Sequence, residues 1–389
     1  MSAALEAKAE VQKLARLLGT DPGELSYLEA VGPEGLREVR SSATDLIFDS
    51  DFAMMKRLAA GAKLLPAGAL ATIAQRGFGP LLCARVAGYV DPGKAVEVAA
   101  KLPPRFLADV AIEIDPRKAE QAIGKIPPAQ AAEVAKIVSA EDEFVTMGRF
   151  LAYIDDDAIT ACLAVIADEK LLPTAFVLED KSRLDHVMRM LSDERAANVA
   201  VDASERGHWP EALDLAEHVS DEQATRIADV VAAQEDAVLT ALVEAATDTG
   251  LWPDVLPLAK VMSLDARRRF AQVEAIARPE VLGEIVEATV SQGLWEELLP
   301  LLAELPDPTR DRVVEIARGR EGAIEAAVAA AIEHDLWVPL LTIAASLDPA
   351  TQERIRELAA GLPQERLQRL AAQAEQLGLG DKLGAILAS

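Results

Sequence analysis

Residues 250–258 read Gly-Leu-Trp-Pro-Asp-Val-Leu-Pro-Leu, and residues 293–301 read Gly-Leu-Trp-Glu-Glu-Leu-Leu-Pro-Leu. The Trp-centred stretch occurs four times, 43, 43 and 42 residues apart, around Trp209, Trp252, Trp295 and Trp337. An arginine recurs at the same three spacings, at Arg226, Arg269, Arg312 and Arg354. Two markers in one register are typical of a stack of helical units, in which each unit packs on its neighbours.

Each 43-residue unit is long enough for three short helices. In the unit that begins at Trp252 we expect helices over 253–262, 266–277 and 280–292, the last with an apolar stripe of period 3.6. Gly250 and Gly293 stand where a preceding helix would end in a left-handed conformation. No stretch alternates apolar and polar residues as a half-buried strand does. The sequence therefore predicts an all-α fold.

A shorter repeat precedes the Trp units, between about residues 90 and 166. Asp91-Pro92 and Asp115-Pro116 are 24 residues apart, and so are the Pro-Pro pairs at 103–104 and 127–128. Asp followed by Pro is a typical helix start, so we expect helices over 93–102 and 117–126. Helices this short are marginal alone, which favours an α-solenoid of two-helix, 24-residue repeats.

This Asp-Pro-x-Lys-Ala pattern followed by Leu/Ile-Pro-Pro resembles the helical superhelix at the cytoplasmic N-terminus of MgtE-type magnesium transporters. The middle domain of the flagellar switch protein FliG has a related fold. The resemblance covers about a fifth of the chain. It implies a superhelical fold and no magnesium gating, because neither a nucleotide-sensing pattern nor a transmembrane pore accompanies it.

We therefore predict three continuous segments. Residues 1–60 form an N-terminal helical cap, 61–181 a short-helix superhelix similar to the MgtE N-terminal domain, and 182–389 the 43-residue repeats. Within the cap, residues 44–60 are predicted to form one helix that is apolar around much of its circumference.

Composition excludes several classes of protein. Asp and Glu outnumber Lys and Arg by 64 to 39, a net charge of −25, which argues against binding nucleic acid or an anionic membrane surface. The longest uncharged runs have 12 residues, whereas a spanning helix needs about 20, so no transmembrane segment is expected. Two isolated cysteines, and no signal peptide, suit a cytoplasmic protein.

The candidate functional residues are aromatic and sulfur-containing. No catalytic residue, metal site or cofactor site is predicted, since no nucleophile, phosphate-loop or metal-ligand spacing is present. The Trp series has two interpretations: each ring is wedged between helix layers, or the rings line one face and bind a ligand. Similarly, each repeated Arg either pairs with an acid of the next unit, which we favour, or lines a concave surface. Further candidate binding residues are Phe48, Phe52, Met54 and Met55, of which Met54 points away from the helical face that the other three share.

Three functions follow from this pattern. The first is a non-enzymatic scaffold that binds protein partners on the concave surface of a superhelix. The second is a carrier or sequestering protein for an apolar small molecule or lipid, based on the apolar stretches 48–55, 64–75 and 78–82. The third, a divalent-cation-responsive regulator, rests on the resemblance alone. Sequence does not indicate the oligomeric state.

Overall fold

The computed structural model describes residues 2–49, 52–345, 348–359, 368 and 372–375. Throughout these residues the regular structure is helical, with no strand. The α-helices are α1 Ser2–Leu18, α2 Pro33–Asp49, α3 Phe52–Ala62, α4 Ala67–Ile73, α5 Gly79–Ala87, α6 Pro92–Ala99, α7 Pro104–Glu113, α8 Pro116–Ile123, α9 Pro128–Ala140, α10 Phe144–Phe150, α11 Asp156–Leu163, α12 Leu171–Phe176, α13 Leu184–Met190, α14 Asp193–Arg206, α15 Trp209–Ala216, α16 Asp221–Ala232, α17 Asp236–Thr249, α18 Trp252–Val261, α19 Leu264–Ala271, α20 Pro279–Gln292, α21 Trp295–Glu304, α22 Asp307–Arg318, α23 Ala323–Glu333, α24 Trp337–Ala344 and α25 Pro349–Ala359. A π-helical segment spans Ala74–Phe78, and short 3₁₀ segments span Pro22–Val31, Asp168–Lys170, Lys181–Arg183 and Glu274–Ala277.

The chain divides into two compact units, Met1–Val199 and Ala200–Ser389. In the first unit the short helices follow one rule of packing: α3 contacts α5, α4 contacts α6, and the series continues through α7, α8, α9 and α11 in the same next-but-one manner. This is the two-layer arrangement of an α-solenoid, in which helices too short to be stable alone bury one face on their neighbours. The predicted all-α helical-repeat fold is thereby confirmed.

Proline and aspartate set the helix starts of this solenoid as the sequence predicts. The Asp91 carboxylate accepts a hydrogen bond from the Lys94 amide at 3.1 Å, and the Asp115 carboxylate accepts one from the Arg117 amide at 3.1 Å. The helix that follows each of them begins at proline, whose missing N–H costs nothing in the first turn. The chain therefore turns roughly every 12 residues and keeps its helices short.

The N-terminal helices close the first unit. α1 packs on α2 through a cluster that contains Val11, Leu14 and Leu36. α1 also contacts α10, and its Ala9 packs with Phe176 at the end of α12. The first helix of the unit thus lies against helices late in the solenoid series.

In the second unit, equivalent helices of successive repeats stack on each other. α15 contacts α18, α18 contacts α21, and α21 contacts α24; α16 and α19 stack likewise, as do α17 and α20. Each repeat tryptophan is the first residue of its helix. Gly250 and Gly293 end the preceding helices with φ of +68° and +74°, as the sequence predicts. The sequence also contains a degenerate fifth copy without tryptophan, Gly378-Leu379-Gly380, and it lies outside the described residues.

One predicted helix cannot be followed through its whole length in the described residues, and a second differs from the structure. The prediction of one helix over 44–60 includes residues 50 and 51, which lie outside the described residues; the described residues on either side are helical, in α2 up to Asp49 and in α3 from Phe52. In place of one helix over 266–277, α19 ends at Ala271 and a 3₁₀ turn follows. Five residues here are buried, namely Phe270, Ala271, Val273, Ala275 and Ile276. Their spacing would distribute them around a whole helix rather than along one stripe, so tertiary packing breaks the helix.

Candidate ligand-binding cavity

The first unit contains a partly open apolar cavity of about 580 Å³. Every helix from α3 to α13 contributes side chains to its wall. On α9 the contributing positions are Gln130, Val134 and Val138, and on α13 they are Leu184, Val187 and Met188. Spacings of three and four residues place such side chains on one face of a helix, so the cavity is the shared interior of the solenoid.

The wall offers almost no polar chemistry. Among the described lining residues Arg57 is the one that carries a charge. The hydroxyl groups of Thr146 and Thr174 donate to Glu143 and to the Lys170 carbonyl at 3.1 and 2.7 Å, and the Gln130 amide donates to the Ala99 carbonyl at 2.8 Å. These donors are satisfied within the protein, whereas the Gln130 Oε1 atom is buried without a hydrogen-bond donor. The cavity therefore suits a mainly apolar ligand, with room for one donor group beside Gln130.

Both cysteines line the cavity. Burial raises the pKa of Cys83 and of Cys162 to about 11. At neutral pH both thiols are therefore protonated, and each acts as a small apolar group rather than as a nucleophile.

The most exposed part of the cavity wall belongs to the helices at the N-terminal end of the series. The lining residues that are themselves exposed are Arg57, Gly61, Leu65, Ile73 and Phe78. All lie between α3 and the π-helical segment Ala74–Phe78. The π turn ends at Gly79, which has φ of +73°, and π turns occur often at functional sites. We call this exposed part of the wall the mouth.

A second, smaller cavity of about 110 Å³ lies on the other side of α5. Its cationic lining residues are Lys13, Arg16, Arg40, Arg85 and Arg149. Lys13 and Arg40 pair with Glu10 at 2.7 and 2.9 Å, and Arg16 pairs with Glu143 at 2.7 Å. Burial alone would raise the pKa of Glu10, but the charges of Lys13 and Arg40 outweigh it and hold the pKa below its ordinary value. This balanced network ties α1 to α2 and to the segment after α12, where Glu179 accepts two bonds from Arg40.

The four repeat tryptophans lie inside the second unit, not beside the cavity. Their exposed fractions are 4 % for Trp209, 1 % for Trp252, 4 % for Trp295 and 6 % for Trp337. The indole of Trp252 donates to the Thr247 hydroxyl at 3.2 Å. Burial of every ring favours the packing interpretation; a binding role for them stays a prediction, and it would require the helices to part.

The remaining candidate residues lie in α2 and α3. Met55 is 1 % exposed and Met54 is 48 % exposed, so the two point to different faces as the helical spacing predicts. Phe48 is in α2 and Phe52 in α3, and their side chains lie outside the described residues. Met55 packs with Ala59 and Val86 in the layer behind the mouth.

The repeated arginines pair in the opposite direction to our expectation. Arg269 bonds to Asp236, and Arg354 bonds to Glu325 at 2.9 Å, so each partner belongs to the preceding repeat and not to the next. Arg226 donates to Gln223 at 3.1 Å, and Arg312 is exposed. Sequence fixes the spacing of a repeat but not which neighbour a given helix end faces.

A second pair of equivalent arginines, Arg267 and Arg310, was not predicted from the sequence; both donate hydrogen bonds to backbone carbonyls. Arg267 donates to the carbonyls of Ala259, Lys260 and Met262 at 3.0, 2.6 and 2.9 Å. Forty-three residues later, Arg310 donates to those of Leu302, Ala303 and Leu305 at 3.3, 3.5 and 2.8 Å. In the next repeat Gln352 donates to Ala344 at 2.9 Å. These side chains satisfy the free carbonyls at the end of the preceding helix, and the recurrence of Arg267 and Arg310 was the available signal.

Neither a metal-binding cluster nor a membrane-spanning helix occurs among the described residues. No group of three His, Cys, Asp or Glu side chains there is arranged to hold a metal ion. The carboxylate of Asp155 instead caps α11 by accepting from the Ala158 amide at 2.8 Å. No helix in the described parts of the chain has the length and apolarity to cross a bilayer.

No known protein family, curated protein or solved structure matches this chain. The resemblance to the MgtE-type N-terminal domain stays a prediction, and function must be argued from the site itself.

Proposed function

We propose that the first unit binds an apolar small molecule or lipid chain inside its solenoid and acts as a non-enzymatic carrier or sequestering protein. The observation that carries this proposal is the cavity: about 580 Å³ with an apolar wall. This volume lies within the range of about 300–1,000 Å³ typical of sites for small organic ligands. Apolar cavities tend to stay dry and to accept apolar guests.

The proposed ligand would be held mainly by burial of its apolar surface in the cavity, and little by hydrogen bonds. Each methylene group transferred from water to the cavity contributes about 0.8 kcal/mol. In a series of uncharged alkyl ligands, two further methylenes should therefore tighten binding by roughly tenfold. The gain should stop once the cavity is full, so the chain length at which affinity levels off measures the usable volume.

A blocking variant tests the proposal. Ala135 lines the cavity on α9, whereas Ala129 on the same helix is exposed. We expect Ala135→Phe to abolish uptake of an uncharged hydrophobic dye, since the ring would occupy ligand space, and Ala129→Phe to leave uptake unchanged. Native mass spectrometry after incubation with a lipid extract should show a discrete bound mass in the wild type and in Ala129→Phe only.

Equal uptake by Ala135→Phe and Ala129→Phe, with both folded by circular dichroism, would contradict the carrier. Polypeptides that co-purify at fixed stoichiometry with the wild type and with Ala135→Phe would then support the scaffold, which uses the outer surface and does not need the cavity.

A further inference from the structure

The residues around the mouth have a charge opposite to that of the whole protein. Residues 52–90 contain Lys56, Arg57, Lys63, Arg76 and Arg85 and no Asp or Glu, in a chain of net charge −25. Arg57, Lys63 and Arg76 are exposed. A Debye length of about 8–10 Å at physiological ionic strength screens distant carboxylates. An approaching surface therefore meets a locally basic region.

The same region exposes apolar side chains. Of the fifteen large hydrophobic residues that are exposed in the described parts of the chain, six lie between residues 54 and 81. Leu64 is 86 % exposed, Met54 48 % and Leu81 48 %. α3 packs on α5, and the π-helical segment packs on both α4 and α5, so these side chains belong to neighbouring elements. Exposed apolar patches of this kind mark interaction sites.

This apolar surface continues into the cavity. Leu65, Ile73 and Phe78 are exposed and also line the cavity wall. A ligand that moves between the cavity and the outside would pass these residues. An apolar ligand has little solubility in water, so the phase with which the cavity exchanges it must itself be apolar.

We propose that the mouth surface, comprising Met54, Lys63, Leu64, Arg76 and Phe78, docks on the anionic face of a lipid bilayer. Basic side chains meet anionic headgroups, and the exposed apolar side chains enter the boundary between headgroups and acyl chains. Each Lys or Arg near such a surface strengthens binding about fivefold. The proposal rests on the carrier function, because it assigns the bilayer as the source or acceptor of the cavity's ligand. An acidic protein partner would match the basic charge of this surface. It would not explain why the exposed apolar surface continues into the cavity, whereas a bilayer explains both features.

Vesicle binding tests the proposal on the full chain. We expect co-flotation with vesicles of phosphatidylcholine mixed with phosphatidylserine, and not with phosphatidylcholine alone. The double variant Lys63→Glu/Arg76→Glu should weaken binding by about tenfold or more. Lys125→Glu/Lys136→Glu makes the same change in net charge at exposed lysines elsewhere in the first unit and should bind as the wild type does. Leu64→Asn should also weaken binding, whereas Val165→Asn, at a 40 % exposed residue, should not.

Uptake of the uncharged dye diphenylhexatriene in the absence of vesicles separates the two proposals. If the protein takes up dye normally but does not bind vesicles, docking is overturned and the carrier proposal stands. The same conclusion follows if Lys63→Glu/Arg76→Glu and Lys125→Glu/Lys136→Glu weaken vesicle binding equally. Vesicle binding that follows the expected order without dye uptake supports docking and overturns the carrier. Binding to soluble polyglutamate in place of anionic vesicles would replace the bilayer with an acidic protein partner.

Discussion

Asp335 occupies a backbone position that the other three repeats give to glycine. Gly207, Gly250 and Gly293 precede their tryptophans by two residues with φ of +72°, +68° and +74°, and Asp335 precedes Trp337 in the same way with φ of +57°. Left-handed backbone costs a residue with a Cβ about 1–2 kcal/mol, somewhat less for Asp. The fourth repeat therefore contains a strained residue at a position where the other three repeats have glycine, which adopts this backbone conformation without strain.

We expect Asp335→Gly to raise the free energy of unfolding of the second unit by about 1 kcal/mol, because it removes this strain. Asp335→Ala removes the same carboxylate but keeps a Cβ, and should be no more stable than the wild type. Urea titration followed by Trp fluorescence measures both. Equal stabilisation by Gly and Ala would show that loss of the charge, not relief of the backbone, is responsible.

At the scale of helices, sequence could predict starts and spacings but not every end. Asp91 and Asp115 with their prolines define helix starts chemically, so those helices were predictable. The break after Ala271 was not, because it accompanies burial of residues on both sides of the break, Phe270 before it and Ile276 after it, and burial depends on the neighbouring helices. The carbonyl contacts of Arg267 and Arg310 are likewise between elements, and appear only once the helices are packed.

The arginine that contacts the end of a preceding helix offers a prediction at this scale. Arg310→Met keeps the length of the side chain but leaves buried carbonyls near Leu305 without a donor, so we expect a loss of about 1–3 kcal/mol. Arg310→Gln should lose less, since Gln352 performs this role in the next repeat. Arg312→Met, on the exposed side of the same helix, is the matched control. Chemical denaturation measures all three, and a loss for Arg312→Met equal to that for Arg310→Met would contradict a specific role.

At the scale of the whole molecule, the candidate site could not be located from the helical pattern or from the net charge. The apolar stripes of α3 to α13 have the same pattern whether they meet in a packed core or around an open space, so sequence could suggest a carrier but could not locate the cavity. The net charge of −25 argued against an anionic membrane, although residues 52–90 have the opposite sign. The most regular feature of the sequence, the Trp repeat, builds the second unit, whereas the cavity belongs to the less regular first unit.

The placement of the cavity within one unit leads to a final prediction. Trp295 is 4 % exposed in the second unit, and Trp295→Ala should lower the stability of that unit by about 3–5 kcal/mol, as truncation of a buried aromatic residue usually does. Dye uptake should nevertheless remain at the wild-type level below the melting transition, because all lining residues lie between 57 and 191. Trp295→Phe, which keeps an aromatic ring, should lose less stability. If uptake fell with the stability of the second unit across this series, the cavity would depend on both units, and the carrier would have to be sought in the whole chain.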